Sequence, residues 1–265
     1  MLRTRRSYDV CRSTARLFTL ITITDSHPMI AAPYFQQQDQ QVVISRQQAS
    51  DFAKGVADDF NPLHDIAAKR FCVPGDLLFA MVLAQYGVTA HMHFNFTGMV
   101  TDDVSLILPK ASEQITLADH NDKAYLTIER RGASSQDQQL IDSLTRSYVA
   151  FSGQTFPHVL VPLLAQHNTM INPDRPMVMY QSMLIELMNL DFKDVQLELD
   201  SERTVMTVAG KRGTVCLAFT LLSSGEVVGR GEKHMLLSGL RPYEQAVIDG
   251  IVDNYNQWKR GYQPR

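Results

Sequence analysis

Asp59-Phe60-Asn61-Pro62-Leu63-His64, followed by Pro74-Gly75-Asp76-Leu77-Leu78-Phe79-Ala80-Met81-Val82-Leu83-Ala84-Gln85-Tyr86-Gly87, is the stretch on which the reading of this 265-residue chain turns. Asparagine before proline starts a helix: Asn supplies the capping oxygen and Pro suits the first helical position. The second segment opens at Gly75 and is apolar on nearly all sides, which predicts a buried helix ending at Gly87. Asp59 and His64 flank the first turn. They could hold one water between them, one accepting a proton while the other returns one. The Gly75 amide has no intrahelical partner and feels the positive end of the helix dipole, so it could hold a developing oxyanion.

Working outward, Gln41–Val43 reads as a strand, and 47–56 as a helix with Ala49, Phe52, Ala53 and Val56 at helical spacing. After Gly87, Met92, Phe94 and Phe96 alternate with His91, His93 and Asn95, the period of a strand with one face buried. Strands are predicted at 106–108, at 114–118 and 123–131 joined across Asp119-His120-Asn121-Asp122, and at 143–151. The second half reads more loosely in the same order. A Met-rich helix over 176–190 (Met177, Met179, Met183, Met188) precedes strands at 195–199, 203–208, 214–222 and 227–237. Turns fall at Gly210-Lys211-Arg212-Gly213 and Ser223-Ser224-Gly225, and an amphipathic helix over 242–259 closes the chain. The class is α+β: one buried helix wrapped by antiparallel strands, twice.

A net charge of −3 gives no electrostatic case for nucleic acid, and no run reaches the ~18 apolar residues of a membrane span. Cys11, Cys72 and Cys216 are odd in number and lack paired spacing, which argues against a disulfide framework or a zinc site and for a reducing compartment. Residues 1–28 carry Arg3, Arg5, Arg6, Arg12 and Arg16 before a short apolar run broken by threonines. They read as a disordered leader or mis-called start with Met29 as the natural first residue, the alternative being a targeting peptide.

The order Asp59-x-Asn61-Pro62-x-His64 resembles the signature of the MaoC-like and R-specific enoyl-CoA hydratases, whose pattern runs Asp-x-Asn-Pro-(Ile/Leu/Val)-His. Gly75 matches the glycine before that family's central helix. The chain departs from the family pattern at Ala57-Asp58, where Ser-Gly is usual, and at Pro74-Gly75, where His-Gly is usual. The connection between His64 and Gly75 is also shorter. Phe60-Asn61-Pro62-Leu63-His64-Asp65 with Phe71-Cys72-Val73-Pro74-Gly75-Asp76 also looks like an uncharacterised bacterial family.

The resemblance implies a double hot-dog fold, two helix-wrapping sheets side by side, with a first repeat over 29–153 and a second, degenerate repeat with the C-terminal helix over 154–265. It implies a cytoplasmic hydratase or dehydratase acting on acyl thioesters carried by CoA or acyl carrier protein, needing no cofactor or metal. Asp59, His64 and Gly75 are the expected catalytic groups. Asn61, Leu77 and Leu78 are expected to contact substrate, and Arg130 and Arg131 the phosphates of its carrier. The alternative is a non-catalytic hot-dog module that binds acyl-CoA or acyl carrier protein. Two fused repeats supply the pairing that single hot dogs obtain by dimerising, so a monomer or weak homodimer is expected.

The same residues have plainer readings. Asn61-Pro62 is a sound helix start whatever its chemistry. The Arg130-Arg131 pair suits a solvated strand end, and His91-x-His93 an exposed strand face. The methionines suit core filling, and Cys72 has no base beside it in sequence to make it a nucleophile.

Overall fold

The computed structural model describes residues 30–263, so the leader assigned to 1–28 lies outside them. The described chain begins with a 3-10 turn at Ala32–Tyr34, β1 (Gln36–Gln38) and β2 (Gln41–Val43). Next comes α1 (Arg46–Gly55), whose Ser45 and Gln48 cap each other reciprocally. A 3-10 turn at Pro62–His64 leads toward α2 (Gly75–Tyr86). Four strands follow: β3 (Val88–Phe96), β4 (Ser105–Ile107), β5 (Gln114–Ala118) and β6 (Ala124–Ser135). The middle of the chain is helical, with α3 (Gln138–Gly153), α4 (Thr155–His158) and α5 (Leu160–Gln166). The remainder comprises β7 (Thr169–Met170), β8 (Val178–Leu187), β9 (Gln196–Leu199), β10 (Val205–Ala209), β11 (Arg212–Ser223), β12 (Glu226–Ser238), β13 (Arg241–Pro242) and α6 (Gln245–Gly261).

Eleven strands form one antiparallel sheet in the order β1-β2-β4-β5-β6-β3-β8-β12-β11-β10, with β9 also on β11; β7 and β13 pair separately. The strands before α3 and those after it meet where β3 pairs β8, from His91 opposite Glu186 to Asn95 opposite Ser182. Ser224 and Gly225, both at positive φ, turn β11 into β12, as a two-residue hairpin with right-handed strand twist requires.

The expected buried helix is α2: of its twelve residues, only Gly75, Ala84 and Gln85 fall outside the buried class. Phe79 packs on Phe94 of β3 and on Tyr148 of α3, with ring centroids 5.3 and 4.6 Å apart. A smaller apolar cluster joins Leu160 and Leu164 of α5 to Val215, Leu217, Met235 and Leu237. Among the described residues no helix is long and apolar enough to cross a membrane.

Two sequence expectations are corrected. The strand predicted over 143–151 belongs to α3. Its buried residues Leu140, Ile141, Leu144, Tyr148 and Val149 follow helical spacing, and Asp137 caps it by accepting from the Leu140 amide. Starting the window at 143 removes Leu140 and Ile141, the first two residues of that period. The helix predicted over 176–190 is instead β8, a central strand hydrogen-bonded on both sides. Methionine and leucine suggest a helix, but Met183, Ile185 and Leu187 point inward at every second position, and pairing with β3 and β12 overrides the propensity. Among the methionines expected to fill core, Met183 is buried, whereas Met179 and Met188 are exposed.

Gly153 ends α3 against the loop that carries the Asp59 motif. A Cβ there would lie 1.6 Å from the Ala57 carbonyl oxygen, a backbone atom with no rotamer to escape into. Gly153→Ala is therefore expected to destabilise the fold by about 1–3 kcal/mol, the usual range for overpacking, read as a lower urea midpoint. Gly250→Ala in α6, where a Cβ meets nothing within 4 Å, should leave the midpoint unchanged or raise it. Equal midpoints for Gly153→Ala and wild type would show that the α3–loop contact is loose.

Candidate functional site

The motif starts where α1 ends. The Asp59 amide donates to the Ala53 carbonyl at 2.8 Å, and Asp58 takes a left-handed conformation at φ 54°. That region favours glycine and tolerates Asp, so Asp58 makes the turn at the position where the hydratase pattern carries glycine. Its side chain pairs with Lys259 of α6, and its carbonyl accepts from Tyr255 at 3.1 Å. Asp58 therefore points away from Asp59, toward α6.

Asp59 Oδ1 accepts the Asn61 amide at 2.9 Å, and Oδ2 lies 3.6 Å from His64 Nε2. His64 Nδ1 is 2.7 Å from the Cys72 carbonyl. A carbonyl only accepts, so Nδ1 carries the proton, and in the neutral ring Nε2 presents its lone pair toward Asp59. The 3.6 Å separation exceeds a direct hydrogen bond.

Burial raises the Asp59 carboxyl above its ordinary range; His64 and the Asn61 amide oppose this, Asp76 adds to it, and Lys233 lowers it. Asp76 and Lys233 are therefore neighbours of Asp59. Asp76 sits in the first turn of α2, buried, and its Oδ1 has no hydrogen-bond partner among the described residues. Lys233 of β12 is also buried. Its ammonium donates to Ser152 of α3 and lies 4.4 Å from the centroid of the Tyr180 ring.

Tyr180 of β8 shares a hydrogen bond between hydroxyls with Tyr148 of α3, and Ser152 also bonds Tyr148. Burial first, and then the Asp76 charge, hold the Tyr180 phenol far above its usual range; for Tyr148 burial is followed by Tyr180 and then Asp76. Both phenols are protonated at neutral pH. The Tyr180 ring also covers Gly75, where a Cβ would come within 2.8 Å of it and 3.2 Å of Phe96.

Asp59 and His64 thus face one another, and Gly75–Asp76 joins their surroundings through Tyr180 and the two carboxylates. The other predicted residues lie elsewhere. Asn61 caps its own turn, accepting from the Leu63 amide at 3.1 Å. Leu77 and Leu78 are packed in the main core. Arg130 is buried, and its guanidinium donates to the carbonyls of Tyr86 and Gly87 at the end of α2, so it holds the helix terminus instead of waiting for a phosphate. Arg131 is exposed and paired with Glu129 at 2.8 Å. His91 pairs with Glu186 at 3.4 Å. Burial pushes the Cys72 thiol up to about 11, which leaves too little thiolate for a nucleophile. A cleft of about 370 Å³ lies beside the motif, lined by Lys54, Phe60, Asp65, Gln257, Trp258 and Tyr262.

Sequence reasoning missed Asp76, Tyr148, Ser152, Tyr180 and Lys233. For Lys233 and Asp76 a signal existed. Lys233 falls in phase with Gly231, Met235 and Leu237 on the buried face of β12, and Asp76 opens a helix that is otherwise apolar. Charged residues are rarely placed there without a partner.

Residues 29–246 match the model of a family described as "Protein of unknown function (DUF3581)". The chain belongs to that family. No curated protein matches this DUF3581 sequence. Among solved structures it is similar to the tesB protein of Mycobacterium avium subspecies paratuberculosis, at 10% identity and TM-score 0.44, over 78% of this chain and 98% of that one. A conserved hot-dog-fold protein of unknown function from Alicyclobacillus acidocaldarius aligns at 9% identity and TM-score 0.42, over 82% and 100%. A MaoC-like dehydratase aligns at 9% and 0.36, over 77% and 97%.

The raised Asp59 carboxyl gives a pH dependence. A group whose folded pKa exceeds its unfolded one contributes stability at low pH and loses it as pH rises through the folded value. Asp59→Asn is therefore expected to melt above wild type at pH 7, with the advantage shrinking toward pH 4. A variant that melts lower at pH 7 would mean that the His64 contact outweighs burial.

Proposed function

We propose that this protein is a cytoplasmic double hot dog acting on acyl thioesters, as a hydratase or dehydratase of 2-enoyl and 3-hydroxyacyl chains. The observation that carries this reading is the pair Asp59 Oδ2 and His64 Nε2, 3.6 Å apart and each held by a backbone partner on its other atom. The two repeats of this proposal, over 29–153 and 154–265, meet at the β3–β8 pairing. Fusion of the repeats supports a monomer or weak homodimer, which light scattering would test.

In the hydration direction, neutral His64 takes a proton from the bound water through Nε2. The water oxygen bonds the β-carbon, and the double-bond electrons move onto the thioester oxygen as an enolate. Asp59, whose environment favours its protonated form, returns a proton to the α-carbon. The first-turn amides of α2, with the Lys233 ammonium, are the groups available to stabilise the enolate oxygen; one such donor is typically worth roughly 3–4 kcal/mol. Dehydration is the reverse.

A second reading, a non-catalytic binder of acyl-CoA or acyl carrier protein, is favoured by one observation. Tyr180 and Phe96 already occupy the space over Gly75, where a thioester would have to lie.

Assay with short and medium 2-enoyl-CoA substrates separates the two. The hydratase reading expects turnover that falls at least about 100-fold in Asp59→Asn and in His64→Ala. Calorimetric binding of acyl-CoA without turnover supports the binder, and absence of both binding and turnover defeats both readings.

A further inference from the structure

We propose that Cys216, Glu232 and His234 form a binding site for a zinc-class divalent cation on the outer face of the sheet. Cys216 of β11 and His234 of β12 are directly opposed in the ladder, and Glu232, two residues before His234, shares its face. The intervening Lys233 points the other way, into the buried cluster described above. This site is therefore separate from that cluster and does not depend on its function.

The geometry is close to a coordination sphere. Cys216 Sγ is 3.9 Å from His234 Nε2, and His234 Nε2 is 3.2 Å from Glu232 Oε2. One ligand atom from each residue lies within 4.8 Å of the other two. Tetrahedral zinc with sulfur, nitrogen and oxygen ligands at roughly 2.0–2.3 Å has ligand–ligand edges of about 3.4–3.6 Å. The observed spacings differ from those edges by no more than a rotamer adjustment. Two features keep the set in place. The cysteine and histidine are fixed by the β11–β12 register, itself bounded by β10 and β8. The second carboxylate oxygen of Glu232 accepts from Arg203 at 2.8 Å, which turns Oε2 toward the histidine in the manner of an outer-shell partner.

The ligand types choose the ion. A thiolate with an imidazole disfavours magnesium and calcium, which want oxygen, and suits zinc. On binding, the Cys216 S–H proton leaves to solvent, a metal–sulfur bond forms, and nothing is oxidised or reduced. Three protein ligands leave a fourth position for water or an external ligand. All three side chains are partly exposed, so the ion can enter from solvent.

Cobalt(II) is the probe. The full chain, stripped of metal by a chelator, is titrated with cobalt(II) and then with zinc. The expected result is one equivalent bound, with a thiolate-to-cobalt charge-transfer band that zinc abolishes. Cys72→Ser should keep the band. Cys216→Ser should lose it and bind zinc at least about 100-fold more weakly, as should His234→Ala. A wild-type cobalt spectrum without the charge-transfer band overturns the proposal, and this reading needs no variant to fold. Equal zinc affinity in wild type and Cys216→Ser overturns it too.

Discussion

Burying α2 on every side sets the terms for the rest of the molecule. An apolar helix enclosed all round takes its polar N-terminus inside with it. Here that terminus carries Gly75 and Asp76 into the region where β8, β12 and α3 converge. A buried carboxylate with an unpartnered oxygen is expensive in an apolar medium and needs compensation nearby. Two protonated phenols, Tyr148 and Tyr180, feel its charge, and the Lys233 ammonium is held beside them by Ser152 and by the face of Tyr180. A desolvated ammonium over an aromatic ring gains about 2 kcal/mol. That does not recover the several kcal/mol that burying the ion requires. The burial of Asp76 and Lys233 against this cost sets the region apart from the purely apolar core.

Asp59 and His64 reach this region from the other side. Their turn is fixed by local chemistry, through Asn61 as cap, Pro62 in the first helical position and Asp58 in a left-handed conformation. It is then locked from outside by α6, through Tyr255 and Lys259. Asp59 and His64 are thus presented by a short turn whose two ends are anchored in different parts of the chain. Burial raises the Asp59 carboxyl, and the Cys72 carbonyl orients the His64 ring.

What the sequence made legible follows from the range of the interactions involved. The buried helix, the capped turn and the hairpins are written in residues close together in the chain, and α2, Asn61 and Ser224-Gly225 appear where they are expected. β8 is the opposite case. Its methionines and leucines suit a helix, and only its two partners, β3 and β12, make it a strand. The site divides along the same line. Asp59, His64 and Gly75 stand in one local motif, whereas Lys233, Tyr180, Tyr148 and Ser152 come from elements far along the chain. Arg130 was misjudged for a related reason: a doubled arginine resembles a solvated strand end until the fold shows one of the two buried at the end of α2.

The central claim is that Asp59 shares one electrostatic site with Asp76 and with Lys233, a residue 174 positions further along (233 minus 59). The direct measurement is an NMR titration of the Asp59 carboxyl in wild type, Lys233→Met and Asp76→Asn. The pKa should lie above the ordinary carboxylate range in wild type, rise further when the lysine is removed and fall when the second carboxylate is removed. An Asp59 pKa that is the same in all three proteins would contradict the claim.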